Sequence, residues 1–194
     1  SLRGGLGNDL IDAGNGDDTL NGGAGRDTLY GGQGMDYLDY SDSNAAVSIN
    51  LGAGTASGGH ATGDVLAGVD GIFGSAFDDT LLGFDGESTT GPDIYTNLLR
   101  GGAGNDVLAG NLGADRFIFG LGDGRDRIVD FGLGQDRLHL SSDLWGGVVM
   151  TPGEVLAEFG LIRRGVVVLD FGMDEVTLVG QTHLAGLAGG LIVV

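Results

Sequence analysis

Large aliphatic residues recur at every ninth position over the start of the chain: Leu2, Ile11, Leu20, Leu29 and Leu38. The residues between them are small or polar. Reading Gly4 to Asp39 in nines gives GGLGNDLID, AGNGDDTLN, GGAGRDTLY and GGQGMDYLD. A single apolar residue flanked by polar ones predicts a short strand with one inward side chain. The glycines at the first, second and fourth places predict a turn through positive φ, with its carbonyl oxygens facing inward. Two strands and two turns then close one coil of eighteen residues, so turns two copies apart stack on the same edge.

Beyond Asp39 the phrase is interrupted and then returns in worn form. In residues 40–64, Val47, Ile49 and Leu51 alternate with Ser48 and Asn50, the pattern of a half-buried strand. The stretch Gly52 to Gly63 reads as turns with a second short strand. Residues 65–140 carry degenerate copies: VLAGVDGIF, GSAFDDTLL, an interrupted copy resuming at Asn97 and Leu99, then GGAGNDVLA, GNLGADRFI, LGDGRDRIV and FGLGQDRLH. An insertion around Glu87 to Tyr95 breaks the third of these.

Residues 141–194 carry no repeat. Thr151-Pro152-Gly153-Glu154 outlines a capping box before Val155, Leu156 and Phe159, with Gly160 as a stop, and predicts a short helix. Gly165 to Leu178 reads as two strands around a turn at Asp170–Asp174. The chain ends on the apolar run Leu191-Ile192-Val193-Val194. The expected class is all-β: a right-handed parallel β-roll in two blocks, 1–39 and 65–140, with a β-rich cap at 141–194.

Charge sharpens this picture. Acids outnumber bases 27 to 9, for a formal charge of −18, and all the bases are arginine. Such an excess argues against nucleic acid or an anionic membrane as partner and favours cations. Without cysteine there is no thiolate metal site and no disulfide. Without lysine there is no Schiff base or phosphate-loop chemistry. No apolar run reaches membrane-spanning length. Ser1-Leu2-Arg3 reads as the last three positions of a further copy, which suggests an excerpt from a longer polypeptide.

The aspartates hold the sixth place of the phrase as strictly as the aliphatics hold the eighth. Calcium takes six to eight oxygens, including carboxylates and backbone carbonyls. One turn cannot supply that set, but two stacked turns can. The expected ligands in the first block are Gly5, Gly7, Asp9, Gly14, Gly16, Asp18, Gly23, Gly25, Asp27, Gly32, Gly34 and Asp36. In the second they are Asp79, Asn97, Gly102, Gly104, Asp106, Gly113, Asp115, Asp126 and Asp136. Several Ca²⁺ ions should bridge Asp9 with Asp27, Asp18 with Asp36, Asp79 with Asp106, Asp106 with Asp126, and Asp115 with Asp136. Asn97, paired with Asp70 or Asp115, should make a weaker site because it is neutral. A coil with so thin an apolar interior is expected to be disordered until the ions bind.

These nonapeptides resemble the RTX (repeats-in-toxin) family of hemolysin-type calcium-binding proteins. LDYS (38–41), AVSINL (46–51), GSAFDDTL (74–81) and GADRFIF (113–119) are similar to its connecting phrases. The resemblance implies a non-catalytic module of a larger protein exported by a type I secretion apparatus of a Gram-negative bacterium. The module would fold on meeting extracellular calcium, and residues 141–194 would be the cap and secretion signal. The implied partners are an upstream domain of the same polypeptide and the secretion apparatus.

The alternative is an accessory module of a secreted polysaccharide-modifying enzyme or surface-layer protein. In that reading the insert 84–96, Trp145 and Arg163-Arg164 contact an acidic polysaccharide. Other features carry less. The Asp-Phe-Gly tripeptides at 130–132 and 170–172 read as turns. His60, His139 and His183 are scattered and show no zinc-protease spacing. Glu154 and Glu158 read as a solvated helix face, and Trp145 with Phe159 as cap packing. No catalytic residue is expected.

Overall fold

The computed structural model describes residues 1–85 and 96–194. The chain begins with β1 (Leu2–Leu6), β2 (Leu10–Asn15), β3 (Thr19–Ala24), β4 (Thr28–Gln33) and β5 (Tyr37–Asp39). A hairpin of β6 (Ser48–Asn50) and β7 (Thr55–Ser57) follows. The array resumes with β8 (Val65–Ala67), β9 (Gly71–Phe73), β10 (Thr80–Leu82), β11 (Leu98–Arg100) and β12 (Val107–Ala109). It ends with β13 (Arg116–Phe119), β14 (Arg125–Ile128) and β15 (Arg137–Leu140). The cap holds helix α1 (Pro152–Phe159), β16 (Gly160–Arg163), β17 (Val166–Asp170), β18 (Glu175–Leu178) and β19 (Leu191–Val193).

Alternate strands build two facing sheets, so the fold is a parallel β-roll. One sheet runs β1-β3-β5-β9-β11-β13-β15-β19, and every pairing in it is parallel. The eighteen-residue coil is read directly from the register, with Leu2 opposite Leu20 and Ile11 opposite Leu29. Worn copies keep the stacking with longer coils: Leu81 lies opposite Leu108, and Phe117 opposite Leu138. The aliphatic of each copy faces inward, and Leu20, Leu29, Leu38, Ile72, Leu81 and Leu99 are fully buried between the sheets. In the first coils one apolar side chain per strand is buried; further along β13 buries Phe117 and Phe119, and β15 buries Leu138 and Leu140.

The segment 40–64 does not divide the roll. β4 pairs directly with β8 and β5 with β9, so both sheets run through it. Its hairpin enters the second sheet, where β7 pairs antiparallel with β6 and β8, and β6 pairs parallel with β10. Val47 and Ile49 are buried there, as their alternation predicts.

The cap closes the far end. Thr151 and Glu154 form the capping box, with the Glu154 backbone N–H donating to Thr151 Oγ1 and the Thr151 N–H to the Glu154 carboxylate. Trp145 packs on Phe159 and Phe171, ring centroids 5.8 and 5.9 Å apart, and lies half-buried against the cap. The apolar tail forms β19 and pairs with β15, Leu191 opposite Leu138. β18 pairs parallel with β14 and so carries the second sheet into the cap.

Candidate metal centres

The turns form two edges. Asp9, Asp27, Asp79, Asp106 and Asp126 follow one another up the first, and Asp18, Asp36, Asn97, Asp115 and Asp136 up the second. On each edge an aspartate Oδ1 accepts a hydrogen bond from the backbone N–H of the sixth-place residue one coil earlier. Asp27 accepts from Asp9 at 2.8 Å, Asp36 from Asp18 at 2.8 Å, and Asp106 from Asp79 at 2.7 Å. Asp126 accepts from Asp106, Asp115 from Asn97, and Asp136 from Asp115. All five sequence-derived aspartate pairs are therefore neighbours in adjacent coils, and Asn97 is flanked by Asp70 on one side and Asp115 on the other.

Three further rungs come from residues outside those pairs. Asp64 Oδ1 accepts from the Asp27 N–H, and Asp70 Oδ2 from the Asp36 N–H. Asp174 accepts from the backbone N–H groups of Gly122 and Gly124. Asp64 was hidden because its copy is stretched by a residue, Gly58-Gly59-His60-Ala61-Thr62-Gly63-Asp64, although Asp-x-Leu-x survives at 64–67. Asp174 sits off the nine-residue period altogether.

The second carboxylate oxygen distinguishes the rungs. Among the described residues, Oδ2 of Asp9, Asp27, Asp36, Asp106, Asp115 and Asp126 is buried and has no hydrogen-bond partner. Five of them lean over the first glycine of their own copy, at Gly4, Gly22, Gly31, Gly101 and Gly110; the copy of Asp126 begins with Leu121 instead. A Cβ built on Gly4 would lie 2.6 Å from Asp9 Oδ2 and 2.6 Å from the Gly22 carbonyl oxygen of the next coil. Gly4 has no positive φ, so glycine is required there because a carboxylate and a carbonyl occupy the space of a side chain. Positive φ belongs to the second and fourth places, as at Gly5 (112°) and Gly7 (109°). Gly25 departs from this pattern: its φ is not positive, and it is required by close approach to the Gly7 carbonyl.

Two acceptors facing each other in a buried place repel unless something positive lies between them. Burial first, then neighbouring carboxylates, pushes Asp106 and Asp115 up to about 7 and Asp126 up to about 9 in the absence of a cation. Among the described residues no three histidine, aspartate or glutamate side chains converge. The donor set is thus one carboxylate per turn with backbone carbonyls, a set of hard oxygens that fits calcium and not zinc. These residues fit the ion the sequence implies.

Not every expected ligand has a free oxygen. Ser75 donates from its backbone N–H (2.5 Å) and its hydroxyl (2.8 Å) to Asp79. Gly132 N–H donates to Asp136 Oδ2 at 2.6 Å. Asn97 uses its amide differently: Nδ2 donates to the Gly110 carbonyl at 2.9 Å and to Asp115 Oδ1 at 2.7 Å, while Oδ1 accepts from the Phe84 N–H. The expectation of a weak ion site at Asn97 meets a donor where an ion would need an acceptor.

The glycan-binding features fare as follows. Arg163 pairs with both Asp170 and Glu175, and Trp145 packs half-buried on Phe159 and Phe171. Arg164 occupies the hairpin turn between β16 and β17 with φ 53°. Most of the insert 84–96 lies outside the described residues. No helix among the described residues is long and apolar enough to cross a membrane.

A family model of the RTX calcium-binding nonapeptide repeat (4 copies) matches residues 1–42, 64–87 and 93–126, a little over half of the chain. No curated protein matches the chain significantly. Among solved structures, the chain is similar to the extracellular lipase LipA from Serratia marcescens, at 19% identity and a TM-score of 0.43. That match covers all of this chain and 40% of the lipase chain, so the chain spans well under half of that protein's length.

Proposed function

Because the chain belongs to the family of RTX calcium-binding nonapeptide-repeat proteins, a calcium-binding module of secreted proteins, we propose that binding of several Ca²⁺ ions is what folds it. The observation that carries this reading is the set of six buried aspartate oxygens without hydrogen-bond partners among the described residues, five of them beside the first glycine of their copy. With one aliphatic per strand in the first coils, the apolar interior there is too narrow to offset the mutual repulsion of so many carboxylates. Cations between successive turns reverse the sign of that interaction and couple the coils cooperatively.

In this reading the module is non-catalytic and stabilises a larger exported protein. It stays unfolded in calcium-poor cytosol, passes a type I secretion apparatus from a Gram-negative cell, and folds outside. Affinities in the extracellular range, about 10⁻⁴–10⁻³ M, suit that role. The ligands are Asp9, Asp27, Asp36, Asp106, Asp115 and Asp126 with carbonyls of the glycine turns. Circular dichroism during a calcium titration, reversed with EDTA, tests it: β-structure should appear with calcium and vanish with chelator. A chain equally folded in EDTA would overturn the reading.

The rival glycan-binding role has less to stand on, since Arg163 is held by Asp170 and Glu175 and Trp145 stacks half-buried on Phe159 and Phe171.

A further inference from the structure

The rungs of the roll fall into two kinds along its length. At Asp9, Asp27 and Asp36 near the start, and at Asp106, Asp115 and Asp126 further on, a buried Oδ2 lacks any donor. Between these groups the protein itself supplies donors to both oxygens of Asp64 and of Asp79, while Asp70 accepts from the Asp36 N–H through Oδ2. Tyr40 Oη donates to Asp64 Oδ2 at 2.9 Å in a buried contact. Ser75, which replaces the second glycine of its copy, donates to both oxygens of Asp79.

Asn97 completes the series on the other edge. Its Nδ2 lies against the first glycine of its copy, Gly83, where a Cβ would come within 2.8 Å of Nδ2 and 2.7 Å of the Gly110 carbonyl oxygen. This is the arrangement seen around Gly4, with an NH₂ group in place of a carboxylate oxygen. The two N–H bonds of Nδ2 are shared among three oxygens within hydrogen-bond distance: Gly110 O, Asp115 Oδ1 and, at the longest distance, Phe84 O (3.2 Å). Two carbonyls and a carboxylate are the kind of oxygens a calcium ion gathers, and an ion sharing that space would face two N–H bonds.

We infer that calcium ties together two separate groups of coils in this roll, and that the coils between them are held by hydrogen bonds from Tyr40, Ser75 and Asn97, the Asn97 carboxamide taking the place of an ion. This rests on the calcium reading above. Its consequence is a central segment, β8 to β11, whose closure does not depend on the ion. That segment receives the β6–β7 hairpin, so extra hydrogen-bond donors enter the roll where ions are replaced.

The test is an anomalous difference map from crystals of the whole chain grown in calcium, with ion counting by native mass spectrometry. Peaks should stand beside Oδ2 of Asp9, Asp27, Asp36, Asp106, Asp115 and Asp126, and none within coordination distance of Asn97 or Ser75. Asn97→Asp, which turns the donor into an acceptor, should bind one more ion per chain than the parent. A peak on Asn97 Oδ1, or an unchanged count in Asn97→Asp, would overturn the inference while leaving calcium binding intact. A map with no peak at any aspartate would remove the calcium reading and this inference together. If Asn97→Asp fails to fold, the map of the parent decides alone.

Discussion

The backbone N–H of Asp9 donates to Oδ1 of Asp27, eighteen residues later, at 2.8 Å. This bond fixes the carboxylate of one coil against the turn of the coil before it and leaves the other oxygen of Asp27 without a partner. The same bond repeats up both edges, so each such aspartate braces its neighbour, and those with a free Oδ2 are the ligands of the proposed ions.

Asp27→Asn should therefore raise the calcium midpoint of folding about tenfold or more. A hydrogen bond to a charged group is worth roughly 1.5–3 kcal/mol, and about 1.4 kcal/mol is a factor of ten. Asp12→Asn, at an exposed strand position, removes the same charge without touching a turn and should leave the midpoint nearly unchanged. Calcium titrations followed by circular dichroism compare the two.

Gly101→Ala places a methyl group against the Asp106 carboxylate, with no positive φ involved. Overpacking of this kind costs about 1–3 kcal/mol, and here it should also weaken calcium binding. Gly153→Ala in α1 meets open space and should stabilise the chain by about 0.5–1 kcal/mol. Thermal unfolding at saturating calcium should shift in opposite directions for the two variants.

Tyr40→Phe removes the hydroxyl that donates to Asp64 Oδ2 and takes a hydrogen bond from a buried carboxylate oxygen. The expected loss is about 1–3 kcal/mol at saturating calcium. Tyr30→Phe, on a half-exposed tyrosine, is the control and should change stability little. Denaturant unfolding of both variants measures the difference.

His139 gives the loaded protein a pH dependence of its own. Burial, with Arg116 beside it, lowers its pKa to about 4, and neither ring nitrogen has a hydrogen-bond partner. Its register neighbours Ile118 and Ile192 offer no compensating charge. Between about 4 and the ordinary value near 6.5 the unfolded chain holds a proton that the folded chain does not. Stability is therefore fully present above about 6.5 and is lost as pH falls toward 4. His139→Leu should gain on the parent as pH drops from 7.5 to 5, measured as the difference in melting temperature at one calcium concentration. An equal difference at both pH values would count against it.

Much of the molecule was legible from its residues because the physics is local and periodic. A nine-residue phrase with one aliphatic sets strand length, inward face and an eighteen-residue coil, and from those the pairs Leu2–Leu20 and Asp9–Asp27 follow. The α1 capping box and the hairpin at 166–178 were equally plain, since caps and tight turns depend on neighbours in the chain. The same logic misjudged first-place glycines such as Gly4, where the demand comes from a side chain five residues on and a carbonyl in the next coil.

Which carboxylates keep an oxygen free was decided only in three dimensions. Tyr40 reaches Asp64 across 24 residues, and Phe84 meets Asn97 across an insertion, at separations the period does not specify. The residue pattern alone determined that aspartates stack at the turns of a roll. Tertiary contact determined which of them already have a donor, because hydrogen-bond partners brought in by off-period segments have no fixed spacing in the chain, and a buried acceptor is satisfied by whatever the fold delivers to it.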